Sequence, residues 1–145
     1  MKKLLLGTFA ALALFSANAA ESITWLTDLP KAQAQAKLEK KLVMLDFTGS
    51  DWCGWCIKLN KEVFTQPEFA EYAKKNLVAV EVDFPSKKKL STAQQQANDA
   101  LSEKYKIRGY PTIVVLDSDG QKLGELGYMK GGPKAFIAAL EKLKK

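Results

Sequence analysis

Histidine is missing from this chain altogether, and cysteine occurs only twice, at positions 53 and 56. Without histidine there is no Cys–His nucleophilic pair, no imidazole metal ligand and no imidazole base titrating near neutral pH. Two thiols fall short of the four ligands that a structural zinc site takes. Covalent haem attachment would place a histidine directly after the second cysteine, where Ile57 stands. Long apolar runs are scarce too. Leu4 to Phe15 is shorter than the roughly 20 residues a membrane span needs.

That short run has another reading. Lys2 and Lys3 precede it and Ala17-Asn18-Ala19 follows it, the pattern of a secretory signal peptide. Cleavage is expected before Ala20, with Glu21 the next choice, leaving residues 20–145 as one domain after a signal of residues 1–19. No cysteine lies near the cut to take a lipid, so no membrane insertion is expected to persist after cleavage. The compartment implied is extracytoplasmic, periplasmic where the cell has two membranes. Removing the signal lowers Lys+Arg from 22 to 20 against 16 Asp+Glu, so net charge falls from +6 to +4. Lys87-Lys88-Lys89 and the lysines around Leu143 read as solvated surface among acids and glutamines, with no nucleic-acid module behind them.

Of 145 residues, 47% are hydrophobic, enough for one core and short for two. Ser22 to Leu26 reads as a first strand, and Pro30 opens a helix, capped by Asp28, running to about Lys40. Leu42 to Phe47 is nearly all apolar, as in a strand buried on both faces. Thr48-Gly49-Ser50-Asp51 breaks it, and a helix is expected from Cys53 through Lys61. Gln66-Pro67 starts another, with Phe69, Tyr72 and Ala73 inward. Leu77 to Phe84 is the next strand, and Thr92 to Lys104 a helix whose Ala93, Ala97, Ala100 and Leu101 share a face. A hairpin follows, Pro111 to Leu116, a turn at Asp117-Ser118-Asp119-Gly120, and Lys122 to Tyr128. The closing helix after Gly132-Pro133 buries Phe136, Ile137, Leu140 and Leu143. Strand–helix alternation followed by a late hairpin predicts an α/β fold, a central mixed sheet with helices on both faces.

Cysteines at i and i+3 of a helix face the same side, within the separation a disulfide tolerates. So small a loop adds little chain-entropy stabilisation, which weighs against a purely structural bridge. Cys53 follows a strand where a helix begins, so unpaired N–H groups and the helix dipole favour its thiolate. Cys56, one turn further in, is expected to be the more buried. Attack by Cys53 on a disulfide and displacement by Cys56 would complete an exchange cycle. A metal half-site and an inert bridge use the same residues; strand–turn–helix placement favours exchange.

With Trp52-Cys53-Gly54-Trp55-Cys56 after a buried strand, and Ile107-Arg108-Gly109-Tyr110-Pro111-Thr112 further on, the chain resembles the thioredoxin superfamily across its whole mature length. The resemblance implies a thioredoxin-like fold, a cis bond before Pro111, and a substrate strand paired beside Tyr110, which would then set selectivity. It also implies that Asp46 relays the proton of Cys56. Three departures stand out. One extra residue separates Asp46 from the cysteines; the lysine that often accompanies the acid is missing, with Ala79 the nearest match; Gly54-Trp55 replaces Gly-Pro. Trp52, Gly54, Trp55, Tyr110 and Pro111 are the substrate-contacting candidates, the two indoles as an apolar platform. Together with a long connection from Pro85 to Gln96, these features resemble the secreted thioredoxin-like branch.

The activity implied is exported thiol–disulfide exchange with protein substrates, needing no cofactor beyond the Cys53–Cys56 pair, in a monomer served by a separate redox partner. A reductase or general exchange role fits best. Two rivals remain: a client-binding module with a static bridge, and a Cu(I)-type metallochaperone.

Overall fold

The computed structural model describes residues 22–144; the expected signal peptide and its cleavage site lie outside them. Five strands form one sheet in the order β1-β3-β2-β4-β5, with β1 (Trp25–Leu26), β2 (Leu42–Thr48), β3 (Leu77–Asp83), β4 (Thr112–Leu116) and β5 (Lys122–Leu126). β1, β3 and β2 run parallel, while β4 and β5 are antiparallel additions, as alternation followed by a hairpin requires.

Side-chain alternation in β2 builds two cores. Val43, Leu45 and Phe47 pack on one face with Ala32 and Ala36 of α1 (Leu29–Glu39) and Tyr105 of α4 (Thr92–Tyr105). Met44 packs on the other with Leu59 of α2 (Gly54–Leu59), Phe69 of α3 (Pro67–Asn76) and Phe136 and Leu140 of α5 (Gly132–Leu143). Helices therefore cover both faces, as expected.

Several details differ from the sequence reading. The first strand is Trp25–Leu26 only, because just Ala79 and Val80 pair with it. Cys53 caps α2 from an extended backbone instead of starting it, and past Leu59 the helix widens into a π-helical turn, Asn60–Phe64. β5 ends at Leu126, where its pairing with Ile113 ends. In α4 the small alanines are not the buried face. Ala93, Ala97 and Ala100 are exposed, while Asn98 and Tyr105 are buried. Burial of Asn98 is compensated, since its amide donates to the Asp83 carbonyl at 2.8 Å and its oxygen accepts from Gln94, also at 2.8 Å. In α5, Phe136 and Leu140 are fully buried, with Ile137 and Leu143 packed partly against them.

The C-terminal ends of β2, β3 and β5 and the start of β4 all meet at one end of the sheet. This topology brings four separate loops together around the cysteines.

Candidate active site

Cys53 sits at the N-cap of α2, with its sulfur accepting the Cys56 backbone N–H at 3.2 Å. The helix start thus aims a donor and the positive end of its dipole at this sulfur. The two cysteines form a disulfide with Cα atoms 5.2 Å apart. Cys56 is 4% exposed and Cys53 7%, so both are buried and Cys56 is slightly the more enclosed. Gly54 has no heavy atom within 4 Å of a would-be Cβ, so the space beside its own backbone is open.

The Tyr110–Pro111 peptide bond is cis. Phe47 pairs with Thr112 in the β2–β4 ladder, which sets Pro111 level with Thr48, where the cysteine loop leaves the sheet. The Thr112 hydroxyl donates to the Gly109 carbonyl at 2.8 Å and ties down the approach to this bond. The Tyr110 ring packs edge-on against Trp52, centroids 5.8 Å apart, and at a tilt against Phe84, centroids 5.4 Å apart. Cys53 and Pro111 are thus linked through neighbours that touch.

The two tryptophans are placed differently. The Trp52 indole N–H donates to the Phe84 carbonyl at 2.7 Å, and a Cβ on Gly49 would lie 2.4 Å from its ring. Trp52 is thereby fixed in place, although half its surface is open. Trp55 is 57% exposed and rests on Tyr128, with centroids 4.9 Å apart. The Lys58 ammonium lies over both rings, 5.3 and 5.2 Å from their centroids, and pairs with Glu62, which also accepts the Tyr128 hydroxyl at 2.8 Å.

Asp46 is buried on the Met44 face of β2, and its Oδ1 has no hydrogen-bond partner. Burial, followed by the charges of Glu81 and Asp83, pushes its carboxyl up to about 8. The sequence reading placed Ala79 nearest the missing lysine. The register corrects this: Ala79 pairs with Met44, and Glu81 stands opposite Asp46. A second acid thus replaces an expected base, and burial raises Glu81 as well.

Asp51 and Asp83 were not singled out from sequence. The Asp51 carboxylate accepts the backbone N–H groups of Ser86, Lys87 and Lys88 at 2.8, 2.7 and 3.1 Å, which lowers its pKa. Asp83 accepts the N–H and hydroxyl of Ser50 at 2.9 and 2.6 Å. These bonds join the cysteine loop to the end of β3 and to the long connection after it. The coupling is invisible in sequence because it spans 35 residues. Among the described residues no group of three or more His, Cys, Asp or Glu is placed to hold a metal ion, and no helix is long and apolar enough to cross a membrane.

Comparisons with known proteins agree with this geometry. Residues 29–144 match the model of the thioredoxin-like domain. The disulfide bond reductase DsbH of Chlamydia pneumoniae is 37% identical over 123 residues, 85% of this chain and 74% of that protein. The thiol:disulfide interchange protein DsbD of Cronobacter sakazakii is 35% identical over 101 residues, 70% of this chain but only 16% of that protein. A solved DsbH oxidoreductase superposes with a TM-score of 0.82 at 34% identity over 94% of each chain. The reduced C-terminal domain of DsbD from Neisseria meningitidis does so with a TM-score of 0.58 at 27% identity, covering 79% of this chain and 92% of that one. Cysteine pair, cis-proline, strand order and sequence match all coincide: this chain belongs to the thioredoxin-like family.

Proposed function

We propose that this chain is an exported thiol–disulfide oxidoreductase acting on protein disulfides through Cys53 and Cys56. The observation that carries the reading is the Cys53 sulfur at a helix N-cap, accepting an N–H and joined to Cys56. In the reduced protein the same donor and dipole stabilise the Cys53 thiolate. That thiolate attacks one sulfur of a substrate disulfide, forms a mixed disulfide and releases the other sulfur, which takes up a proton. Cys56 loses its proton and attacks the Cys53 sulfur, freeing the second substrate thiol. Two electrons pass to the substrate, and the pair ends oxidised as the Cys53–Cys56 disulfide.

Asp46 is the proton acceptor for Cys56 in this reading. With its carboxyl near 8, it is balanced between taking and returning a proton around neutral pH. Trp55, Gly54, Tyr110 and Pro111 form the substrate-facing surface, an extended substrate segment pairing beside the cis bond. Trp52 supports that surface. The reductase direction draws support from the match with a disulfide bond reductase over 85% of the chain. The leader sequence supports an extracytoplasmic, periplasmic setting, where a separate redox partner would restore the dithiol.

Reduction of insulin disulfides tests the reading: Cys53→Ser is expected to abolish it, and retained turnover would overturn it. The reduction potential of the pair is expected within the family span of about −270 to about −120 mV. The exposed Trp55 and Ile57 also suit a client-binding module. Client binding that survives Cys53→Ala, with no turnover in the parent protein, would establish that alternative.

A further inference from the structure

At the cysteine end of the sheet, four stretches of chain carry basic residues and no acid, two of them bounded by Asp51 and Glu62 and by Asp83 and Asp99. The segment 52–61, from the first tryptophan to the π-helical turn, carries Lys58 and Lys61 and no carboxylate. The segment 84–98 carries Lys87, Lys88 and Lys89, and again no carboxylate. Residues 106–116, leading through the cis-proline into β4, hold Lys106 and Arg108 without an acid. Residues 127–140, after β5, hold Lys130 and Lys134 without one. Each of these four stretches includes a loop at the cysteine end of the sheet, and all of these cationic residues are exposed.

The acids nearby offset them only in part: Glu62 pairs with Lys58, the Lys88 charge acts on Glu81, and the Asp51 carboxylate lies against the triple-lysine turn. Asp46 and Asp83 are buried and Glu81 is partly so. Glu62 is held by Lys58 and Tyr128. Asp51 is committed to three backbone amides, and through them it fixes the triple-lysine turn one residue away from Trp52-Cys53. Asp99 and Glu103 of α4, beside Arg108, are the exposed exceptions. Solvated lysines on a free loop would make a diffuse charge. Here the loop backbone is bonded to the loop that carries the nucleophile, so the turn that bears the charge keeps its place relative to it.

Resting on the proposed exchange chemistry, we infer that the redox face selects protein partners whose disulfide lies within an acidic surface, with the Lys87-Lys88-Lys89 turn as the steering element. Opposite charge raises encounter rates and orients the partner before the sulfurs meet, and the effect fades as salt shortens its range.

The test uses the reduced protein and two peptides of equal length containing the same internal disulfide, one flanked by glutamates and one by lysines. Each rate is divided by that peptide's rate with mercaptoethanol, which removes intrinsic differences in disulfide reactivity. At about 0.01 M salt, where the screening length is about 30 Å, the acidic peptide is expected to react about tenfold faster or more. At about 1 M, with a screening length of about 3 Å, the two should converge. The triple variant Lys87→Gln, Lys88→Gln, Lys89→Gln should lose most of the preference while reducing uncharged hydroxyethyl disulfide at the parent rate. Equal peptide rates at low salt, or a preference unchanged in the triple variant, would overturn the inference. So would retention on anionic phospholipid vesicles without any peptide preference, which would assign the face to a membrane. Failure to reduce hydroxyethyl disulfide at all would instead bring down the exchange reading beneath it.

Discussion

Asp46 and Glu81 stand opposite one another in the parallel β2–β3 pair, two carboxyl groups on one face of the sheet. Parallel partners place side chains on the same face, and burial leaves little water between them to screen their charges. The fold therefore works against ionising Asp46.

A pH dependence of stability follows. The Asp46 carboxyl moves from 3.8 to about 8 on folding. Between those values the folded chain keeps a proton that the unfolded chain has lost, so stability falls as pH rises through that window. Asp46→Asn stays neutral and should remove this slope. With the disulfide intact, the variant is expected to be more stable than the parent near pH 8, by on the order of a few kcal/mol, and to gain almost nothing near pH 4. Denaturant titrations at the two pH values check this, and parallel curves for parent and variant would contradict it.

A second prediction concerns Gly49. A Cβ there would meet the Trp52 ring at 2.4 Å, and the ring cannot easily yield because Phe84 holds its N–H and Tyr110 packs against its side. Gly49→Ala should cost about 1–3 kcal/mol, the range for overpacking a fitted site. It should also shift the Trp52 indole resonance while leaving that of Trp25 in place. An unshifted Trp52 resonance would show that the loop, not the ring, absorbs the methyl group.

The central strand and the cysteine helix were legible because their signals are strong and local. Leu42 to Phe47 is a dense apolar run, and the C-x-x-C pair follows a loop break. What escaped depends on contacts between distant residues. Register is one case, since nothing in either strand's sequence states that Glu81 rather than Ala79 meets Asp46. In α4 the alanines match helical spacing, yet they have little area to bury. Asn98 goes inward because the Asp83 carbonyl and Gln94 meet its hydrogen-bonding needs. Lys87-Lys88-Lys89 reads as plain surface until Asp51 is seen to hold its backbone.

That bond set supports a third prediction. Its three N–H donors stabilise the ionised Asp51 and lower its pKa, so the anchoring is complete above the ordinary carboxylate value and fades as pH falls through the lowered one. Asp51→Ala should speed hydrogen exchange at the Ser86, Lys87 and Lys88 amides severalfold at neutral pH, with exchange in β2 unchanged. Equal exchange in parent and variant would mean that Phe84 and its neighbours hold the turn unaided.

The two exposed indoles should separate in their effects. Trp52 donates a 2.7 Å hydrogen bond to the Phe84 carbonyl and braces Tyr110, so Trp52→Ala removes a bond and an aromatic contact together. A loss of about 1–3 kcal/mol is expected, accompanied by slower turnover of every disulfide as the cis-proline segment loosens. Trp55 touches only Tyr128 and the Lys58 ammonium among the ring partners described, and 57% of its surface is open. Trp55→Ala should cost less than about 1 kcal/mol, the scale of an exposed cation–π contact. Its effect should fall on kcat/KM for protein disulfides, with hydroxyethyl disulfide reduced at the parent rate, because only a large substrate reaches across the indole. Paired unfolding curves and kinetics on both substrate sizes decide the matter. If Trp55→Ala slows the small disulfide as much as the large one, the indole acts on the Cys53–Cys56 pair itself rather than on what docks beside it.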